Sequence, residues 1–317
     1  MLIVLSESLR ASDLRPNLSR KARDALLNLS TAAYEGTHLL AGSRLLFGDL
    51  QQLTELGPIP TGRFKEASVR GAEALSLIAT TPAVIRVEPC GSAPNAERYP
   101  DNGRVTFHLP LDHFADSSRL GCSHILGEHS RDTYFYIALG EAVATHHKGL
   151  RCRLRGADGH GGATSRIFQL HIERDDCVLC IVDSDRSAHE APLGRTAADV
   201  LALCDKALAA HRVALAHVLP CRELENLIPA ALILDALPSD PLDEHGIRVR
   251  KSESCLGLGD FAELKHLVRL ADISEHFRHL TPPKRAELCL RPAVSPALNT
   301  VCSLVWSFGM GSERGRT

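Results

Sequence analysis

Aromatic residues are scarce: Phe, Tyr and Trp make up 4% of the 317-residue chain, and Trp306 is the single tryptophan. So thin a supply argues against an extensive platform for stacking nucleic-acid bases, and Trp306 is expected to serve as a packing anchor. No apolar run approaches the ~20 residues that a membrane-spanning helix needs. Neither sign of charge dominates, with 36 Lys plus Arg against 38 Asp plus Glu. Net charge therefore gives no sign of a nucleic-acid binder, and any basic groove has to be local. There is no internal repeat and no phosphate-binding loop of the P-loop type, so an ATPase would have to be another polypeptide. No secretory leader opens the sequence, and its ten cysteines follow no regular framework. They are expected as reduced thiols in a cytosol. Cys177 and Cys180 form the single Cys-x-x-Cys pair; on a strand their side chains leave opposite faces, so neither a shared zinc nor a disulfide is expected there.

What is present centres on Leu179-Cys180-Ile181-Val182-Asp183-Ser184-Asp185-Arg186. Four apolar residues read as a strand buried on both faces, as in a parallel sheet. Two carboxylates then arrive one residue apart, where such a strand should leave the core. Burying either charge alone would be costly, so the strand end calls for solvent, a cation or both. If strand alternation continues, Asp183 and Asp185 point the same way and together offer hard oxygen ligands.

The segment 1–119 reads as mixed and mainly helical, with a regulatory or assembly role. A short strand is expected over 1–5. A helix follows over 19–33, with Ser19 as its cap and Ala22, Leu26, Leu29 and Ala33 on one face. Helix is also expected over 37–53, although Gly42 and Gly48 weaken it. The run 57–62, Gly-Pro-Ile-Pro-Thr-Gly, reads as a breaker. A helix over 64–79 and strands over 83–87 and 105–109 complete the segment. His108, Asp112 and His113 read as surface residues, and no catalytic motif is found.

From Cys122 the pattern changes to strand–helix alternation, the signature of a parallel sheet flanked by helices. Strands are expected over 122–127, 150–155, 177–182 and 213–219. Helices are expected from Asp132 through His147, over 164–174, and from a cap at Thr196. The turn 156–162 is rich in glycine, either as a plain connection or as a place where phosphate could approach backbone amides. The putting-together of domains is then 1–119, 120–230 and a helical C-terminal extension over 231–317, with helices over 230–237, 261–270 and 299–308. The tail 309–317 is expected to fray.

Sites in parallel sheets gather at the carboxyl edge. Glu128 ends the first of these strands and Asp183 and Asp185 end the third, while Asp132 lies one helical turn beyond Glu128. Four carboxylates meeting there would repel unless cations neutralised them, which favours Mg²⁺ or Mn²⁺.

Taken in order, Gly127-Glu128-His129-Ser130-Arg131-Asp132, then Gly159-His160-Gly161-Gly162, then Ile181-Val182-Asp183-Ser184-Asp185 resembles the TOPRIM domain. That domain is shared by bacterial primases, type IA topoisomerases, a ribosomal-RNA maturase and the OLD-type nucleases. Arg222-Glu223-Leu224-Glu225-Asn226-Leu227-Ile228-Pro229 looks like the acidic segment of the stand-alone and OLD-like branch active in phage defence. The resemblance spans 122–229, about a third of the chain. It implies an α/β fold, a Rossmann-like parallel sheet flanked by helices, and metal-dependent hydrolysis of phosphodiester bonds. Carried over by position, it implies Glu128, Asp183 and Asp185 as catalytic groups, with Asp132 and Glu225 joining them as metal ligands. Arg131, Arg186 and Lys251 are the candidates for nucleic-acid phosphates. Implied partners are nucleic acid, DNA ahead of RNA, a separate ATPase or sensor protein, and further copies of the chain in the cytoplasm. His129 and Ser130 depart from the Gly-containing turn usual after the family's Glu. Tyr134 and Tyr136 sit on the expected first helix and read as packing residues rather than nucleophiles. Two other readings stand beside this one: a haloacid-dehalogenase-like phosphatase built on Asp183-x-Asp185, which gives Glu128 no role, and a non-catalytic TOPRIM scaffold.

Overall fold

The computed structural model describes residues 1–12, 14, 18–99, 103–229, 232, 235–236, 270–290 and 295–313. The chain is α/β, with mostly parallel sheets flanked by helices. It opens on β1 (Leu2–Leu5), where Leu2, Ile3 and Leu5 lie in the core and Val4 is half-buried. After α1 (Ser8–Ser12) comes α2 (Arg20–Glu35), where Ser19 Oγ accepts from the Ala22 N–H at 3.1 Å. Gly36 ends α2 in the left-handed conformation (φ 68°) that glycine adopts without a Cβ penalty.

The segment 37–53 is not one helix. Leu39–Ala41 is a strand, β2, paired parallel with β1, and Ser43 then caps α3 (Arg44–Gln52). The three buried residues Leu39-Leu40-Ala41 gain more from the sheet than a helical turn would offer. The Pro-rich run 57–62 is the start of α4 (Pro58–Ser76) rather than a breaker. Proline is tolerated in a first turn, where backbone N–H groups have no intrahelical partner. Strands β3 (Ala83–Glu88), β4 (Asn95–Arg98) and β5 (Val105–Pro110) complete a five-stranded sheet of order β2-β1-β3-β5-β4, in which β4 alone is antiparallel. Helix outweighs strand by residue number over 1–119, but this sheet organises the segment.

The second sheet holds β6 (His124–Gly127), β8 (Arg155–Asp158), β9 (Val178–Val182) and β10 (Ala214–Val218) in the order β10-β9-β6-β8, all parallel. Its helices are α5 (Ser130–Ala144), α6 (Thr164–Glu173) and α7 (Arg195–Ala209), the last starting after Gly194 rather than at a Thr196 cap. The strand expected over 150–155 divides in two. Only β8 joins the sheet, while β7 (Leu150–Cys152) pairs antiparallel with β11 (Met310–Ser312). Residues 310–312 are therefore a strand and not a frayed tail.

Helices α8 (Leu270–His279), α9 (Pro282–Cys289) and α10 (Pro296–Gly309) return the chain to the core, the last covering the expected 299–308. Of the helix expected over 261–270, all but Leu270 lies outside the described residues, as do Lys251 and most of 230–237. Phe277 of α8 packs on Phe135 of α5, with ring centroids 4.9 Å apart. Trp306 is an anchor: it stacks on His147 at 5.0 Å and joins Leu2, Val84 and Leu150 in a cluster. One hydrophobic core runs through both sheets, from Ile3, Ile85 and Phe107 to Ile125, Leu179 and Phe308. Among the described residues no helix is long and apolar enough to cross a membrane.

Candidate functional site

Strands β6 and β9 are parallel neighbours, with Leu126 opposite Cys180. Parallel pairing sends both chains out of the sheet at the same end, Glu128 one residue after β6 and Asp183 one residue after β9. The two meet: Glu128 Oε1 accepts from the backbone N–H of Asp183 at 3.2 Å. Asp183 Oδ1 in turn accepts from the Leu224 N–H at 3.0 Å. The segment after β10 is thereby docked on this edge, further held by Ser184 Oγ donating to the Cys221 carbonyl at 2.6 Å and the Asp185 N–H donating to Arg222 at 3.1 Å. Docking buries Glu225, at 4% exposure, together with Glu223, whose Oε1 lies 3.4 Å from Arg222 Nε.

Asp132 is buried in the first turn of α5, and its Oδ2 accepts from the His129 N–H at 2.9 Å. His129 thus takes an extended conformation before the helix, which explains how the chain manages without a glycine there. Thr133 ties this turn to the sheet: its hydroxyl accepts from Gly127 N–H at 3.0 Å and donates to the Ala157 carbonyl at 2.9 Å. Behind the acids stands Tyr136, fully buried. Burial, and after it the charges of Asp132, Asp183 and Glu128, push its phenol well above the ordinary range. Tyr136 packs as expected, whereas Tyr134 is exposed. The Cys180 thiol is likewise pushed up, by burial and then by Glu128, and burial takes Cys177 up to about 11. Both thiols stay protonated at neutral pH.

Asp185 departs from the expected geometry. The strand ends at Val182, and Asp185 takes a left-handed backbone (φ 53°), so strand alternation does not align it with Asp183. Its exposed side chain lies against Gly194, where a Cβ would stand 2.5 Å from Asp185 Oδ2. Among the described residues, Glu128, Asp132, Asp183, Asp185 and Glu225 do not bring three ligand atoms within 4.8 Å of one another. The cap on His129 holds Asp132, and the turn at Asp185 carries its carboxylate toward Gly194.

The glycine turn is a structural connection. Gly159 N–H donates to Gly127 O at 3.0 Å and Gly161 N–H to Glu128 O at 2.8 Å, so both amides are engaged by the end of β6. The same turn positions Asp158, which the expected strand boundaries had placed in a loop. Its Oδ1 accepts from the His160 N–H at 2.8 Å. Burial works to raise this carboxyl, but the His160 amide, the His160 charge and Ser130 outweigh it and hold it below the usual range. Register with β6, Gly127 opposite Asp158, puts it at the carboxyl edge; the polar Arg155-Gly-Ala-Asp sequence carries no signal of this. Arg131 is exposed, with Nε 3.9 Å from Asp132 Oδ1, and Arg186 Nη1 donates to the His189 carbonyl at 3.3 Å.

No family model, no curated protein and no solved structure matches this chain.

Proposed function

We propose that the chain is a TOPRIM-type nuclease that hydrolyses nucleic-acid phosphodiester bonds with Mg²⁺ or Mn²⁺. The observation that carries this reading is the direct contact of Glu128 with Asp183 at the ends of adjacent parallel strands. A phosphatase built on Asp183-x-Asp185 would give Glu128 no part. The donor set suits a hard cation. Mg²⁺ retains several waters and takes one or two carboxylates plus substrate phosphate oxygens, so it needs no closed cage of protein ligands. An amide bond leaves a carboxylate oxygen a second lone pair, so Glu128 and Asp183 keep capacity for a cation, with Asp132, Asp185 and Glu225 supporting the negative potential. Such a cation supplies Lewis-acid stabilisation of the phosphate and a more acidic attacking water. Arg131 and Arg186 flank the acids and are the described candidates for phosphate contacts.

DNA is the preferred substrate in this reading, and the setting is cytoplasmic defence against phage or plasmids. Near-neutral net charge means that phosphate neutralisation alone would grip long DNA weakly. Self-association or a separate ATPase or sensor then delivers the substrate. The test is incubation of purified protein with plasmid DNA and with total RNA, in Mg²⁺, Mn²⁺ or EDTA. Cleavage in either metal and none in EDTA is expected; cleavage that persists in EDTA would refute the reading.

A further inference from the structure

The opposite, amino edge of the second sheet carries a group that the proposed nuclease chemistry does not use. His124 opens β6, His171 lies on α6, and Asp176 stands in the connection to β9. One ligand atom from each falls within 4.8 Å of the other two, the one such three-residue set of His, Cys, Asp and Glu among the described residues. His171 Nδ1 is 2.8 Å from Asp176 Oδ2, and the rings of His124 and His171 are 4.6 Å apart between centroids.

We infer that His124, His171 and Asp176 bind a borderline divalent transition metal of the Zn²⁺ or Co²⁺ class. Three features support this. First, the donor set is two imidazoles and a carboxylate, which selects zinc-like ions over Mg²⁺. Second, the backbone holds the donors in place before any ion arrives. His124 N–H donates to Cys177 O at 2.7 Å, in the residue next to Asp176, and Asp176 N–H donates to His171 O at 3.1 Å. Third, all three side chains are half-buried, which leaves a path for the ion and a position for water. A His–Asp hydrogen bond needs only one imidazole; the second, contributed by a different element, completes a three-donor face. Arg155, opposite His124 in the sheet, adds positive charge that moderates affinity. A bound ion would clamp β6, α6 and the approach to β9, and so brace the strands that deliver Glu128 and Asp183 at the far edge.

The experiment uses full-length protein without a histidine tag, stripped with chelator and titrated with Co²⁺ under visible absorption, then with Zn²⁺. One equivalent of Co²⁺ giving d–d absorption, displaced by Zn²⁺ and indifferent to Mg²⁺, is expected. Loss of an outer-sphere partner already weakens metal sites about 10–100-fold, so His171→Ala should raise Kd for Co²⁺ by at least about tenfold. If that variant does not fold, His124→Gln gives the same reading from the edge of the strand. Glu128→Gln should leave the titration unchanged, which separates this site from the carboxyl edge. Absence of the Co²⁺ band in the wild type, or an unaltered Kd in a folded His171→Ala or His124→Gln protein, would overturn the inference.

Discussion

Glu128 and Asp183 are 55 residues apart in sequence, yet the carboxylate of one receives the backbone N–H of the other at 3.2 Å. The contact aligns two strand ends and places two negative groups beside each other, so its loss should be felt in chemistry before stability. Glu128→Gln keeps an acceptor for the Asp183 amide while removing the charge. Nuclease activity should fall by on the order of two to four decades while the circular dichroism spectrum holds. Asp183→Asn should do the same. Assay of both variants on nucleic acid and on a generic phosphomonoester separates the enzyme classes, because a phosphatase would tolerate Glu128→Gln. Full nuclease activity in that variant would remove Glu128 from the site.

Two glycines give a sharper test, because what a new methyl group would strike differs. At Gly159 an added Cβ would lie 2.5 Å from the Gly127 carbonyl oxygen, which is backbone and cannot step aside. Gly159→Ala should therefore cost about 1–3 kcal/mol, as overpacking typically does. At Gly194 an added Cβ would lie 2.5 Å from Asp185 Oδ2, which can rotate away, but also 2.8 Å from Asp185 Cβ, which moves only with the backbone of that turn. Gly194→Ala should therefore also cost about 1–3 kcal/mol, and it displaces the turn at Asp185 rather than the end of β6. Its effect on cleavage then reports whether the position of Asp185 matters. Urea unfolding and nuclease rates on the two variants check both expectations.

His217 sets a pH dependence of stability. It lies on β10 and lines a cleft of about 540 Å³ with Arg98, Thr300 and Ser303. Burial lowers its pKa to about 4 from an ordinary 6.5. The folded protein therefore holds it neutral where the unfolded chain takes up a proton. Stability from this group is complete above pH 6.5, is lost as pH falls, and levels off below about 4. Between pH 7 and pH 5 the loss should be roughly 2 kcal/mol. In His217→Gln that portion of the slope should vanish. Urea midpoints for both proteins at pH 5, 6 and 7 measure it; parallel slopes would show that His217 does not carry this dependence.

Local chemistry determined much of this protein on its own. Leu179 to Val182 are apolar in succession and Asp183 is not, so a buried strand with an acid at its exit is written in the residues themselves. Ser19 caps α2 for equally local reasons, since its oxygen meets an amide three residues away. The strand–helix alternation after Cys122 likewise follows from periodicity, and with it the parallel sheet that carries Glu128 and Asp183 to one edge. Other features depend on partners distant in the chain. Leu39–Ala41 becomes a strand because β1 lies beside it, and β8 begins at Arg155 because its register is set by β6. Met310–Ser312 is held by β7, more than 150 residues earlier. The turn at Asp185 depends on Arg222 and Gly194, so alternation along one strand could not foresee it. His124, His171 and Asp176 share no motif at all. They meet because a strand, a helix and a loop converge at one edge of the sheet, and side-chain distance across separate elements is a property that only tertiary packing creates.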